Sequence, residues 1–95
     1  MAQESILQSK ILGDLESLGK NCVAFKIMKA NVDGVPDVFF TTKVSGPVLV
    51  ELKAPDGVIS DKQRLMIQWL NECGCKAFEC WSIDDWFSIK KQLGI

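Results

Sequence analysis

The chain reads as an α/β domain, a mixed four-stranded sheet flanked by helices in the order α-β-β-β-α-β-α. Three observations predict this. Apolar residues recur at helical spacing near each end and once in the second half of the chain. Between the first two helical patterns lie three strand-like runs separated by turn residues. A fourth strand-like run follows the second helical pattern, and a strand reached through a crossover helix favours a mixed sheet with helices on its faces.

Leu7, Ile11, Leu15 and Leu18 form one stripe over residues 3–18, and Gly19 follows as a stop, so the first element is an amphipathic helix. CVAFKIMKA (Cys22 to Ala30) is the first strand, NVDG (Asn31 to Gly34) supplies a turn, and VPDVFFTTK (Val35 to Lys43) is the second strand. A turn around Ser45, Gly46 and Pro47 leads to the third strand, VLVELK, so the three should form an antiparallel meander joined by short turns. Ser60 and Gln63 have capping-box spacing ahead of a helix whose expected buried stripe is Met66, Trp69, Leu70 and Cys73, with Gly74 ending it. CKAFECW (Cys75 to Trp81) is the fourth strand, and Ser82 with Asp85 caps a last helix carrying Trp86, Phe87, Ile89 and Leu93.

Ninety-five residues make a single domain, residues 1–95, able to bury roughly 60–65% of the surface its unfolded chain exposes. The N-terminus lacks the basic start and continuous apolar run of a signal peptide, and no stretch is long and apolar enough to span a bilayer, so a cytoplasmic protein with no membrane partner is expected. Cys22, Cys73, Cys75 and Cys80 form no CxxC pair and the chain has no histidine. A mixed Cys/His zinc site is therefore excluded, the irregular spacing disfavours a four-cysteine one, and reduced, partly buried thiols are expected. A net charge of -1 does not advertise a nucleic-acid binder. That objection weakens if the acids gather at a metal site, where bound cations reverse the local field.

The third strand carries the chemistry. Strand side chains alternate, so Glu51 and Lys53 share a face with Leu49 while Val48, Val50 and Leu52 take the other. Asp37 lies in the second strand. Neighbouring strands run about 4.7–4.9 Å apart, so a register that sets Asp37 beside Glu51 brings two carboxylates nearly into contact. Two such groups repel, and one tends to hold a proton unless a cation joins them. Mg²⁺ and Mn²⁺ prefer hard oxygen ligands, and magnesium commonly takes one or two carboxylates beside water and phosphate. Glu4 precedes Leu7 by three positions, on the inward stripe of the first helix, and can enter the same cluster. Lys53, about 6.6–6.8 Å along the strand from Glu51, is within reach of a phosphate or its attacking water. Each residue has a plainer reading: a solvated strand edge for Glu51 and Lys53, a turn end for Asp37, a helix-dipole partner for Glu4, a capping-box partner for Gln63. Only their arrangement on elements that can form one cluster lifts the set above an isolated ExK.

GVPD (Gly34 to Asp37), ELK (Glu51 to Lys53) and SDKQ (Ser60 to Gln63) resemble the signature of the VRR-NUC domain, a branch of the PD-(D/E)XK nuclease superfamily, over nearly the whole chain. The resemblance implies a restriction-endonuclease-like fold and metal-dependent hydrolysis of DNA phosphodiester bonds. Stand-alone members are similar to viral and bacterial resolvase-like enzymes working as homodimers, which implies branched or Holliday-junction-like DNA as substrate, a role in replication and repair, and a bacterial cell or phage-infected host as setting. Position by position, Asp37 and Glu51 match the metal-binding acids, Leu52 the residue whose backbone carbonyl completes the site, and Lys53 the catalytic lysine. Glu4 matches the acid of the first helix and Gln63 the glutamine of the next, which would orient Lys53 or a phosphate.

The expected catalytic residues are thus Asp37, Glu51, Lys53 and Gln63, and the expected ligands of Mg²⁺ or Mn²⁺ are Glu4, Asp37, Glu51 and the Leu52 carbonyl. Lys26, Lys29, Lys43 and Arg64 are candidates for DNA backbone contacts, which position the duplex without reading it. Trp81, Trp86 and Phe87 could centre a subunit interface, with core packing the expected role for at least two of them. The competing reading is a DNA-binding module that keeps the nuclease fold without cutting. A metal-free RNA endonuclease of similar fold would call for residues such as histidine, which the chain lacks.

Overall fold

The computed structural model describes residues 2–95. Its elements are α1 (Ala2–Glu16), β1 (Cys22–Lys26), β2 (Val38–Thr42), β3 (Gly46–Leu52), α2 (Asp61–Glu72), β4 (Lys76–Cys80) and α3 (Ile83–Leu93), with a 3-10 turn over Gly19–Asn21. This is the element order the sequence predicts. The strands lie in the order β1-β2-β3-β4. The first two pairings are antiparallel and β3 pairs with β4 in parallel, so the sheet is mixed.

β3 is central, and Val48 to Leu52 are all buried because helices cover both of its faces. Leu7, Ile11 and Leu15 of α1 lie four residues apart and pack with Trp86, Ile89 and Leu93 of α3 against Val38, Phe40, Val48, Val50, Leu52 and Cys80. Each such side chain contributes roughly 1.5–3 kcal/mol when taken fully out of water. A polar tie joins the two helices: the Trp86 Nε1–H (2.8 Å) and the Lys90 ammonium (2.7 Å) both donate to Asp14 Oδ2. Phe40 meets Trp86 edge to face, with centroids 5.7 Å apart.

The meander departs from expectation in its first connection. β1 ends at Lys26 and β2 begins at Val38, so residues 27–37 form a long loop instead of a tight NVDG turn. Gly34 anchors it. Its φ is +87°, and a Cβ there would stand 2.6 Å from the Lys62 carbonyl oxygen, so only glycine lets the loop rest on the start of α2.

α2 lies over the opposite face of the sheet from α1 and α3, beside β4. Gln63, Met66, Ile67 and Leu70 are its half-buried stripe, and no residue of it is fully buried. Trp69 is 51% exposed and Cys73 is exposed, unlike the expected stripe. The reason is rotational: with Gln63 turned toward the sheet, a residue six positions on lies roughly 120° away around the helix. The Asn71 side chain both accepts from the Ala77 amide (3.0 Å) and donates to its carbonyl (3.1 Å), occupying part of the outer edge of β4. Ser82 caps α3 by accepting from the Asp85 amide, and Gly94, at φ 74°, closes it.

All four cysteines are free thiols; Cys80 is buried and donates to the Ser82 carbonyl. Among the described residues no helix is long and apolar enough to cross a membrane.

Candidate active site

The predicted residues converge at the C-terminal end of β3. Val38 pairs with Val50, so Asp37, one residue ahead of β2, falls opposite Glu51. The ladder persists to that point, with the Asp37 amide donating to the Val50 carbonyl (3.1 Å) and the Ile27 amide to the Asp37 carbonyl (2.7 Å). Beyond it, the Asp37 side chain takes over. Its Oδ2 accepts from the Leu52 amide at 2.9 Å, which fixes the carboxylate beside the strand. The Leu52 N–H is thus tied to the Asp37 carboxylate, while the Leu52 side chain is wholly buried in the core on the other face.

Glu51 is only 2% exposed. One carboxylate oxygen, Oε2, accepts from Gln63 Nε2 at 3.1 Å and lies 3.8 Å from the Lys53 ammonium. The other, Oε1, is buried without a hydrogen-bond partner. Burial pushes the Glu51 carboxyl up to about 8. The Asp37 carboxylate adds to this by repelling the charged form and by lying near enough to hydrogen-bond the protonated one; Lys53 pulls the other way, and Glu4 adds a final, smaller push.

Gln63 does two things at once. Its Oε1 accepts from the Ser60 amide at 2.9 Å while its own amide donates to Ser60 Oγ at 3.1 Å, the reciprocal capping box. With Oε1 committed to the cap, only Nε2 is left to face the strand, so the cap sets which end of the amide meets Glu51. Gln63 thus orients Glu51 and not Lys53.

The remaining predicted residues are less tightly gathered. Glu4, in the first turn of α1, is half-buried and acts on Glu51 by charge alone. Among the described residues, no three acidic or cysteine side chains come together in a group that could hold a metal ion. Lys26 ends β1 next to the Asp37 side of the site and Lys29 follows in the loop, both exposed. Arg64 is paired with Glu79 at 3.3 Å. Lys43 sits in the β2–β3 turn at the far end of the sheet, about 20 Å along the strand from Asp37 at roughly 3.3 Å per residue. Trp86 is fully buried and so serves the core, whereas Phe87 is exposed and Trp81 half-buried.

The sequence reading missed Glu79. It pairs in register with Glu51 on β4, holds Arg64, and accepts from Trp81 Nε1 at 3.3 Å. Its signal was present in the parallel register, which two short strands far apart in sequence do not specify by themselves.

The VRR-NUC domain model matches residues 3–84. A solved structure described as a VRR_NUC domain superposes with a TM-score of 0.72 at 19% identity, covering 97% of this chain and 90% of that one. No curated protein matches the sequence. An acid pair at the end of a central strand, a lysine beside it and a glutamine opening the next helix are thus set in a nuclease-type fold, and the chain belongs to the VRR-NUC domain family.

Proposed function

We propose that the protein is a divalent-metal-dependent DNA endonuclease that hydrolyses phosphodiester bonds. One observation carries the reading: a buried glutamate, with one oxygen unpartnered, is held against a second carboxylate, a lysine and a glutamine. A buried acid normally has its lone pairs satisfied. A buried glutamate whose proton affinity is raised by the carboxylate beside it suits a hard cation, and magnesium asks for no more than one or two carboxylates. Asp37, Glu51 and the Leu52 carbonyl would hold Mg²⁺ or Mn²⁺, with Glu4 as a further ligand, and the ion would supply a hydroxide at neutral pH and polarise the phosphate.

The chain's own groups supply the rest. Lys53, anchored beside Glu51, presents an ammonium to the charge that builds on the phosphate oxygens as water attacks. Gln63 keeps Glu51 in one orientation through a cap already needed by α2. Asp37 is held by the Leu52 amide, so neither acid must be ordered at the moment of reaction. Lys26 and Lys29 flank the site and are suited to contact the DNA backbone. The few basic residues favour a homodimer, in which two sites face one branched or duplex substrate during replication or repair.

The test is a panel of linear, nicked, flapped and four-way-junction DNA incubated with Mg²⁺, Mn²⁺ or EDTA. Cleavage only with metal, and lost in Glu51→Ala and Lys53→Ala, is expected. Cleavage that persists in EDTA overturns the mechanism, and binding without cleavage under every ion identifies a non-cleaving module of the same fold.

A further inference from the structure

The acids at the end of β3 continue onto β4. Asp37 stands opposite Glu51, and Glu51 pairs in parallel register with Glu79, so the three residues form one row across β2, β3 and β4. Neighbouring strands run about 4.7–4.9 Å apart, and residues in register share a face. α2 answers two of the three with consecutive side chains of its first turn: Gln63 donates to Glu51 at 3.1 Å, and Arg64 Nε lies 3.3 Å from Glu79 Oε2. Glu79 is fixed from its other side as well, with Oε1 accepting from the Trp81 ring N–H at 3.3 Å. Both of its oxygens are therefore in use.

The Arg64 side chain is 63% exposed and that of Glu79 30%, and an ion pair so open to water adds little to stability. What it supplies is orientation. Arg64 meets Glu79 through Nε, the nitrogen next to its stem, and among the described residues no second acid pairs with it. Its terminal amino groups, the fork that fits a phosphate, are left for an acceptor from outside. Lys26 ends β1 on the far side of Asp37, so cations stand at both ends of the acid row, with Lys53 between them on β3. A DNA strand laid along the row with its scissile phosphate at Glu51 brings the next phosphate to Arg64. We propose that Arg64 grips the phosphate adjoining the scissile one, and that Glu79 is a positioning residue that holds the guanidinium for this contact. This rests on the nuclease reading.

The test is the binding of labelled duplex DNA by the whole chain, followed by anisotropy over a salt series in EDTA and again with Ca²⁺, for the parent, Arg64→Ala, Glu79→Gln and the double variant. Arg64→Ala should weaken binding about tenfold and lower the slope of log K against log salt by about one. Glu79→Gln removes an acid from the row and by charge alone would strengthen binding. With the guanidinium released it should instead weaken binding, by about threefold or more, whereas the same substitution made in Arg64→Ala should strengthen it. A pair that only supports the fold gives no such reversal of sign. In the cleavage assay, a methylphosphonate placed at each linkage beside the cut in turn should, at one of them, raise KM about tenfold in the parent with kcat moving less, and leave Arg64→Ala unaffected. Tighter binding by Glu79→Gln in both backgrounds, no binding by the parent in either buffer, or equal methylphosphonate effects in the parent and Arg64→Ala overturns the proposal even when DNA is cut. Reversal of sign without cleavage under any ion upholds the positioned contact and overturns the nuclease reading instead.

Discussion

Replacing Glu51 with glutamine separates what this residue costs the fold from what it does. Without a divalent cation the Glu51 carboxyl is raised from 4.5 to about 8, chiefly by burial and then by Asp37. Because the shift is upward, between pH 4.5 and about 8 the folded chain keeps a proton that the unfolded chain releases, and stability falls as pH rises through that window. At about 1.4 kcal/mol per unit, the loss is on the order of 3 kcal/mol at pH 7 and 5 kcal/mol above pH 8. A glutamine keeps the shape and cannot ionise; its carbonyl can still accept from Gln63, and its amide can donate toward Asp37. Glu51→Gln should therefore unfold like the parent at pH 4 and be more stable at pH 7, by roughly 10 °C or more in Tm. The gap should widen further at pH 9. Thermal unfolding in EDTA at these three pH values reads this directly. Adding Mn²⁺ should raise the parent's Tm by mass action and leave the variant's unchanged, while cleavage is lost in the variant. Parallel pH profiles for the two proteins would refute the reasoning, since they would mean that Glu51 does not carry the buried proton.

Lys53→Met should lower cleavage on the order of 10²-fold or more while leaving Tm close to the parent's, because the lysine is partly solvated and acts on charge developing in the substrate; full activity in a single-turnover assay would count against its role. Gly34→Ala should destabilise by about 1–3 kcal/mol, measured by urea unfolding, since an L-residue must adopt φ near +87° with its Cβ against the Lys62 carbonyl. Cleavage should fall with it, because Asp37 sits three residues along the same loop. Asp14→Ala should cost about 1–3 kcal/mol at pH 7 by stranding the Trp86 N–H and the Lys90 ammonium. The Lys90 contact holds the Asp14 carboxyl below its usual 3.8, so the stability it gives is present above that pH and lost as pH falls; the variant's deficit should shrink in acid.

The sheet was legible because periodicity and turn chemistry agree on it. Ser60, Gln63 and Gly74 bound α2 as their types require, and the alternation in Val48–Lys53 assigns faces that the structure keeps. What escaped were features set by tertiary contact. Nothing local to Trp69 says that α2 is rotated by the anchoring of Gln63, and an indole at a plausible helical spacing looks like core. The first connection looked tight because NVDG is good turn chemistry, yet Gly34 is spent on close approach to α2 rather than on a hairpin. Lys43 looked like any other basic residue until the register placed it at the far end of the sheet from Asp37.

Within the site, strand spacing made the approach of Asp37 to Glu51 an expectation conditional on the register, which the pairing of Val38 with Val50 supplies, whereas the role of Gln63 could not be read in advance. A glutamine at the third position of a helix is explained by its cap, and the explanation is correct but incomplete: the cap uses the oxygen and leaves the nitrogen to bond Glu51. The consequence extends to Glu51 itself. An ionised carboxylate offers about four lone-pair sites, and the fold gives this one a single amide donor and a lysine 3.8 Å away, both on Oε2. Oε1 faces no donor and a second carboxylate stands beside it. The strand is thus built to be neutral only with a proton or with a cation brought from outside, and at neutral pH the two compete for the same pair of acids. The cation's apparent affinity should therefore rise with pH until Glu51 has lost its proton, near pH 8. A calorimetric titration of Mn²⁺ at pH 6 and pH 8 tests this. Tighter binding at pH 8 is expected, with protons released at pH 6, and affinity that is flat across the two would mean that the ion does not displace the Glu51 proton.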